Sequence, residues 1–188
     1  MGLRNTPRGY GLVAIILHWL VALAVIGLSP LGVWMTGLGY YDDWYKRGPE
    51  LHKSIGIVLF IIMLARVIWS AGNVKPEDEP GTSAMQRRAA HAMHQLLYVL
   101  LFAVMISGYL ISTADGRPIQ VFDLFAVPAT FSGIDNMEDV AGEVHWYLAL
   151  TLISFTGLHT LAALKHHFID RDRTLIKMLG IRSRKTTQ

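Results

Sequence analysis

The stretch GEVHWYLALTLISFTGLHTLAALKHHF, Gly142–Phe168, decides the fold. Crossing a hydrocarbon layer about 30 Å thick takes about 20 helical residues, and this run is long enough. In lipid every backbone polar group must be satisfied within the segment, so the run reads as a membrane helix. It nevertheless keeps two imidazoles, His145 and His159, fourteen positions apart. Ionisable side chains at membrane depth are costly and tend to mark function.

Three more runs of this kind precede it. The four spans are read as residues 10–36, 51–70, 86–113 and 140–168, followed by a basic tail over 169–188. The composition agrees: 52% of the 188 residues are hydrophobic and only 16% are charged, too apolar for a soluble domain of this length. The expectation is an all-α integral membrane four-helix bundle, one domain over residues 1–188, without internal repeats. Pro30 is expected to kink the first span. The segment NVKPEDEPGTS reads as a plain polar loop.

Arg4 and Arg8 before an apolar run resemble a signal peptide. The run exceeds a signal core, carries His18 and lacks a cleavage pattern, so it reads as a retained helix. MGLRNT fits the loose myristoylation pattern, but an acyl chain adds little to four spans.

The basic residues set an expected orientation. If both termini share one side, that side carries thirteen of the 17 Lys and Arg residues. The other four are Lys46, Arg47, Lys53 and Arg117. Both termini are therefore expected in the cytoplasm, with the acidic loop from Asp115 to Glu143 outside. The sequence pI of about 9.3 follows from this topology and gives no reason to expect nucleic-acid binding. Trp34, Tyr40, Tyr41, Trp44, Tyr45, Trp146 and Tyr147 gather at the outer span ends and Trp69 at an inner end, where aromatic residues anchor helices.

There are no cysteines. Disulfides, thiolate-bound iron–sulfur clusters and covalently attached c-type haem are excluded, so a metal centre would rest mainly on histidine. Of the eight histidines, His166 and His167 follow Lys165 at the membrane edge and read as solvated or headgroup-facing. On a helix, fourteen residues rise about 21 Å and return to within about 40° of the starting direction. His145 and His159 thus leave one face of the last span at two depths. Depth pairs His18 with His159 in the inner half and His52 with His145 in the outer half. Two stacked His–His pairs are what two bis-histidine b-type haems require. Iron ligated by two imidazoles has no open position and passes electrons.

One turn after each of these histidines stands a small residue, Ala22, Gly56, Ala149 or Ala163, leaving room for a flat macrocycle. Tyr98 follows His94 at that offset, and Gln95 follows His91. Interhelical hydrogen bonds, a proton relay and zinc are the competing readings. Zinc gathers four tetrahedral ligands at one place, whereas only two gather at each depth here. His94 lies near the inner pair, as a polar residue facing it, part of a quinone site or an alternative ligand. Arg66, a charge deep inside the second span, either snorkels toward headgroups or pairs with a haem propionate.

The motifs ILHWL around His18, ELHKSIG around His52, EVHWYLA around His145 and GLHTLAALKHHF around His159 resemble the bacterial cytochrome b561 family. They are also similar to the cytochrome b subunits of nickel–iron hydrogenases and formate dehydrogenases. The resemblance covers nearly the whole chain. It implies two b haems spanning the inner membrane, an inner one on His18 and His159 and an outer one on His52 and His145, exchanging electrons with a quinone.

The functional expectation is electron transfer between a periplasmic-side donor and the quinone pool, with superoxide to ubiquinone as the version that similar proteins suggest. A haem-bearing anchor subunit of a separate dehydrogenase or hydrogenase is the alternative, and a non-redox histidine-lined transporter or scaffold a third reading. The expected partners are the bilayer, ubiquinone, a periplasmic-side donor or acceptor and, as an open option, a second copy of the chain. The loop TADGRPIQVFDLFAVPATFSGIDNMED is the expected docking surface.

Overall fold

A computed structural model describes residues 2–181. The last seven residues of the basic tail, 182–188, and Met1, where the acylation pattern begins, lie outside the described residues. Four long helices are present: α1 (Leu12–Thr36), α2 (Arg47–Ala71), α3 (Ala84–Thr113) and α4 (Met137–Phe168). All four are long and apolar enough to cross a membrane. Their outward apolar side chains are bare, with Leu23 63% and Leu161 62% exposed. Hydrocarbon is the solvent that such a surface fits.

Helix limits follow local chemistry. α2 begins four residues before the sequence reading, because Arg47 and Gly48 continue the turn into the span. α3 opens on a capping box, with Gln86 N–H donating to Ser83 Oγ and Ser83 N–H to Gln86 Oε1. α4 has Glu138 and Asp139 in its first turn and Lys165, His166 and His167 in its last, both favourable to the helix dipole. α1 continues through Pro30 to Thr36 without interruption.

α1 packs mainly on α2, and α3 on α4. The core is one buried cluster, Val21, Val25, Leu59, Met63, Leu100, Leu101 and Leu152, drawn from all four helices at mid-height.

Two elements were not expected. The long loop after α3 contains an antiparallel hairpin, β1 (Ile119–Val121) and β2 (Phe125–Val127), turned by Phe122 and Asp123 at positive φ. It packs onto α2, with Ile119 and Val121 buried. Ser54 Oγ accepts from Phe122 N–H at 3.2 Å and donates to the Gln120 carbonyl at 3.3 Å. Tyr109 ties the same loop down, donating to the Pro128 carbonyl and accepting from Thr130 N–H, each at 2.8 Å. The expected docking loop is thus partly built into the bundle.

The second is α5 (Thr174–Leu179), formed within the basic tail. The segment from Asn73 to Ser83 is a polar loop, as read, and other parts of the chain dock on it. Asn5 donates to the Val74 carbonyl and Glu77 N–H to the Pro7 carbonyl. Lys177 on α5 donates to the Glu77 carbonyl and pairs with Glu79 at 2.6 Å. Trp19 Nε1 reaches the Met178 carbonyl at 3.0 Å. The N-terminal segment, the loop and the tail therefore meet at one end of the bundle, opposite the hairpin. The end bearing the hairpin is called upper below, and the end bearing the termini lower.

Candidate functional site

The histidines line the bundle interior at two levels. At the upper level the His52 and His145 ring centroids are 6.3 Å apart, with planes at 73°. At the lower level those of His18 and His159 are 6.4 Å apart, at 66°. Imidazole–metal bonds are about 2 Å long, so two rings on opposite sides of one metal ion have centroids on the order of 6 Å apart. Both pairs have that spacing, and all four histidines are half-buried.

The ring nitrogens add a second test. His145 Nδ1 lies 3.0 Å from the Val104 carbonyl and 3.1 Å from Ser107 Oγ. Ser107 itself donates to that carbonyl at 2.9 Å. The consistent assignment is that His145 Nδ1–H donates to both oxygens, which leaves the Nε2 lone pair free for a metal. His52 Nδ1 is buried without a hydrogen-bond partner. A Cβ at Gly56, one turn after His52, would meet no atom within 4 Å. These observations fit a flat, bis-histidine metal group.

The lower level is more polar. Arg66 turns inward instead of snorkelling outward. Its Nη2 lies 3.1 Å from His18 Nδ1, its Nε donates to Tyr98 OH at 2.8 Å, and its guanidinium sits 5.5 Å from the Tyr98 ring centroid. His94 lies beside the pair, its ring centroid 5.2 Å from that of His159. His91 is exposed on α3.

Among the described residues, three metal-capable side chains gather only at His166, Asp170 and Asp172, away from both pairs. His166, read as solvated or headgroup-facing, instead faces two carboxylates. His166 Nδ1 lies 2.6 Å from Asp172 Oδ2 and 3.1 Å from Asp170 Oδ2, and the charged end of α4 folds back on itself. His167 Nδ1 is buried without a hydrogen-bond partner, so neighbouring atoms cover it from solvent. Partial burial alone would raise the Asp172 pKa, but hydrogen bonds from Thr174 and His166 outweigh it and lower the value.

The two levels follow a chain rule. Each helix carries a pair of site residues fourteen apart: His18 and Gly32, His52 and Arg66, His94 and Gly108, His145 and His159. Midway between them, seven residues from each, stand Val25, Leu59, Leu101 and Leu152, all buried. Seven residues make nearly two helical turns, so each series stays on the inward face. An apolar layer therefore separates the two polar levels. Sequence reading found the histidines and Arg66 and missed Ser107, Gly32 and Gly108. The offset from His18 to Gly32 and from His94 to Gly108 was the available signal. The contact of Ser107 with His145 had none, because it depends on how α3 meets α4.

The sequence model of the family described as prokaryotic cytochrome b561 matches residues 9–180. The chain is 51% identical over 180 residues to cytochrome b561 homolog 2 of Escherichia coli (strain K12), covering 96% of each chain. It is 31% identical over 174 residues to a Yersinia pestis protein named probable superoxide oxidase CybB, covering 92% of this chain and 96% of that one. It is 25% identical over 172 residues to cytochrome b561 homolog 1 of Escherichia coli (strain K12), covering 88% and 93%.

Proposed function

The chain belongs to the prokaryotic cytochrome b561 family, a family of membrane electron-transfer proteins that bind haem b, and we propose that it is a di-haem cytochrome linking a periplasmic-side donor to the quinone pool. The observation that carries this reading is the pair of stacked His–His sets, 6.3 and 6.4 Å between centroids, one above the other. In the proposal His52 and His145 hold the outer haem, and His18 and His159 the inner one. Haem b held by these histidines would supply a one-electron carrier.

The protein's own groups then bind, orient and insulate. The Val104 carbonyl and Ser107 hold His145 in the tautomer that offers Nε2. The layer of Val25, Leu59, Leu101 and Leu152 keeps water from the path between the levels. Arg66 supplies a cation for an inner-haem propionate, which would be costly to bury unpaired. His94 faces the inner site as a polar neighbour and a hydrogen-bond donor for quinone.

The orientation proposed is cytoplasmic termini in a bacterial inner membrane, supported by the thirteen-to-four split of basic residues. The upper end then faces the periplasm. Lys46 and Arg47 open α2 there, at the positive end of its dipole and just before His52. Asp42, Asp43 and Glu50 balance that charge, so the donor is assigned from the relatives. The likeness to a protein named probable superoxide oxidase supports superoxide in that place. Two superoxide ions would each lose one electron to give two molecules of oxygen, and one ubiquinone with two protons would become ubiquinol.

Pyridine haemochrome analysis of the purified protein, with a dithionite-reduced minus oxidised spectrum, tests this reading. Two haems b per chain are expected. A ratio near one, or no reducible α-band, counts against it.

A further inference from the structure

We propose that Gly32 and Gly108 are positioning residues for the upper histidine pair, each seating one imidazole from a neighbouring helix. A Cβ built on Gly108 would lie 3.1 Å from His145 Cε1 and 3.3 Å from His145 Nδ1. A Cβ on Gly32 would lie 3.2 Å from His52 Cε1. Both distances are tighter than ordinary carbon contacts, which sit near 3.5–4.0 Å. Each ring thus occupies the space a side chain would need on a facing helix, at Gly32 on α1 for His52 and at Gly108 on α3 for His145.

The placement is not a general looseness of small residues. Gly27, also on α1, and Gly157 on α4 have no atom within 4 Å of a built Cβ. The two seats occupy the fourteen-residue positions that complete the upper level beside His52 and His145. The equivalent lower positions on α1 and α3 are His18 and His94, so the two levels are built differently. The upper level has two rings and two seats, whereas the lower one is filled by polar side chains.

The seats also differ from each other. His145 is gripped on a second side, because its Nδ1 is held by the Val104 carbonyl and Ser107. A methyl group added at Gly108 therefore has to tilt the ring or strain those bonds, and either changes the direction of Nε2. His52 Nδ1 has no hydrogen-bond partner, so its ring can turn aside with less consequence. The expected order of effect is Gly108 before Gly32, with Gly27 silent.

The inference rests on the reading of His52 and His145 as axial ligands of one haem, and the experiment separates the two claims. Low-temperature electron paramagnetic resonance of the oxidised holoprotein resolves low-spin haems by their largest g value. The upper signal is identified first, as the one that both His52→Ala and His145→Ala remove. If these two variants remove different signals, the pairing fails, and the seats with it. With the signal assigned, Gly108→Ala should shift its largest g value and leave the lower signal in place. Gly32→Ala should shift it less, and Gly27→Ala not at all. Loss of the upper haem alone from Gly108→Ala supports the seat equally. If Gly108→Ala does not yield folded protein, Gly32→Ala carries the decision, because His52 can yield. Upper signals that superimpose on the parent in the seat variants, or equal disturbance of both haems, overturn the proposal.

Discussion

Arg66 Nη2 lies 3.1 Å from His18 Nδ1, joining a charged side chain deep in α2 to the lower histidine pair. A guanidinium only donates hydrogen bonds, so the neutral His18 ring accepts at Nδ1 and carries its proton on Nε2. Ligation through Nε2 needs that proton moved, and Arg66 needs another acceptor. A propionate carboxylate is an acceptor of the right charge. Removing the cation should favour the ferric state. Arg66→Leu is therefore predicted to lower the inner haem's midpoint potential by on the order of 50–100 mV, leaving the outer one nearly unchanged. A potentiometric titration with full haem content and no shift in either haem would reject the propionate role.

Ser107 acts on the other level. Its Oγ accepts from His145 Nδ1–H while it donates to the Val104 carbonyl. Ser107→Ala keeps the carbonyl partner, so both haems should remain. The imidazole becomes a slightly weaker donor to iron, and the outer potential should rise modestly, by on the order of tens of millivolts. A fall in that potential, or loss of the outer haem, contradicts the assignment.

His94 lies closer to His159 than His18 does, 5.2 Å against 6.4 Å between centroids. Its distance is short for two rings on opposite sides of one iron. His94→Ala should retain both haems, while quinone reduction slows by about tenfold for the lost hydrogen bond. Disappearance of one haem's absorbance would promote His94 to ligand in place of His18.

The lower end is held by Lys177, whose ammonium pairs with Glu79 and donates to the Glu77 carbonyl with both side chains largely buried. Lys177→Met leaves Glu79 without its partner. The variant should lose about 1–3 kcal/mol of stability and expose the α5 segment to protease. Unchanged melting and cleavage would show the pair to be incidental.

How much of this was legible in the sequence depended on the range of the interaction. The four helices announce themselves because lipid demands unbroken apolar runs, and α2 differs from its reading by a first turn, Arg47 to Glu50, and by Ala71. The two histidine levels were visible because a helix converts fourteen positions into one face at two depths. The hairpin was not, since β1 is only three residues long and is held by Ser54 from a helix 66 positions away. α5 was hidden for the same reason, its partners Trp19 and Glu79 lying far off in the chain. Glycine seats are silent until the facing ring is known. Gly32 and Gly108 carry no chemistry of their own, and only the packing of α1 on α2 and of α3 on α4 gives them a role.

Haem content of the parent, His145→Ala and His159→Ala proteins, measured by pyridine haemochrome with redox titration, tests the central claim most directly. The account predicts two haems b per chain in the parent. His145→Ala should keep about one, at the inner potential, and His159→Ala about one, at the outer potential, because losing an axial imidazole leaves iron one ligand short. A parent ratio near one, or loss of the same haem in both variants, would contradict the two-level assignment.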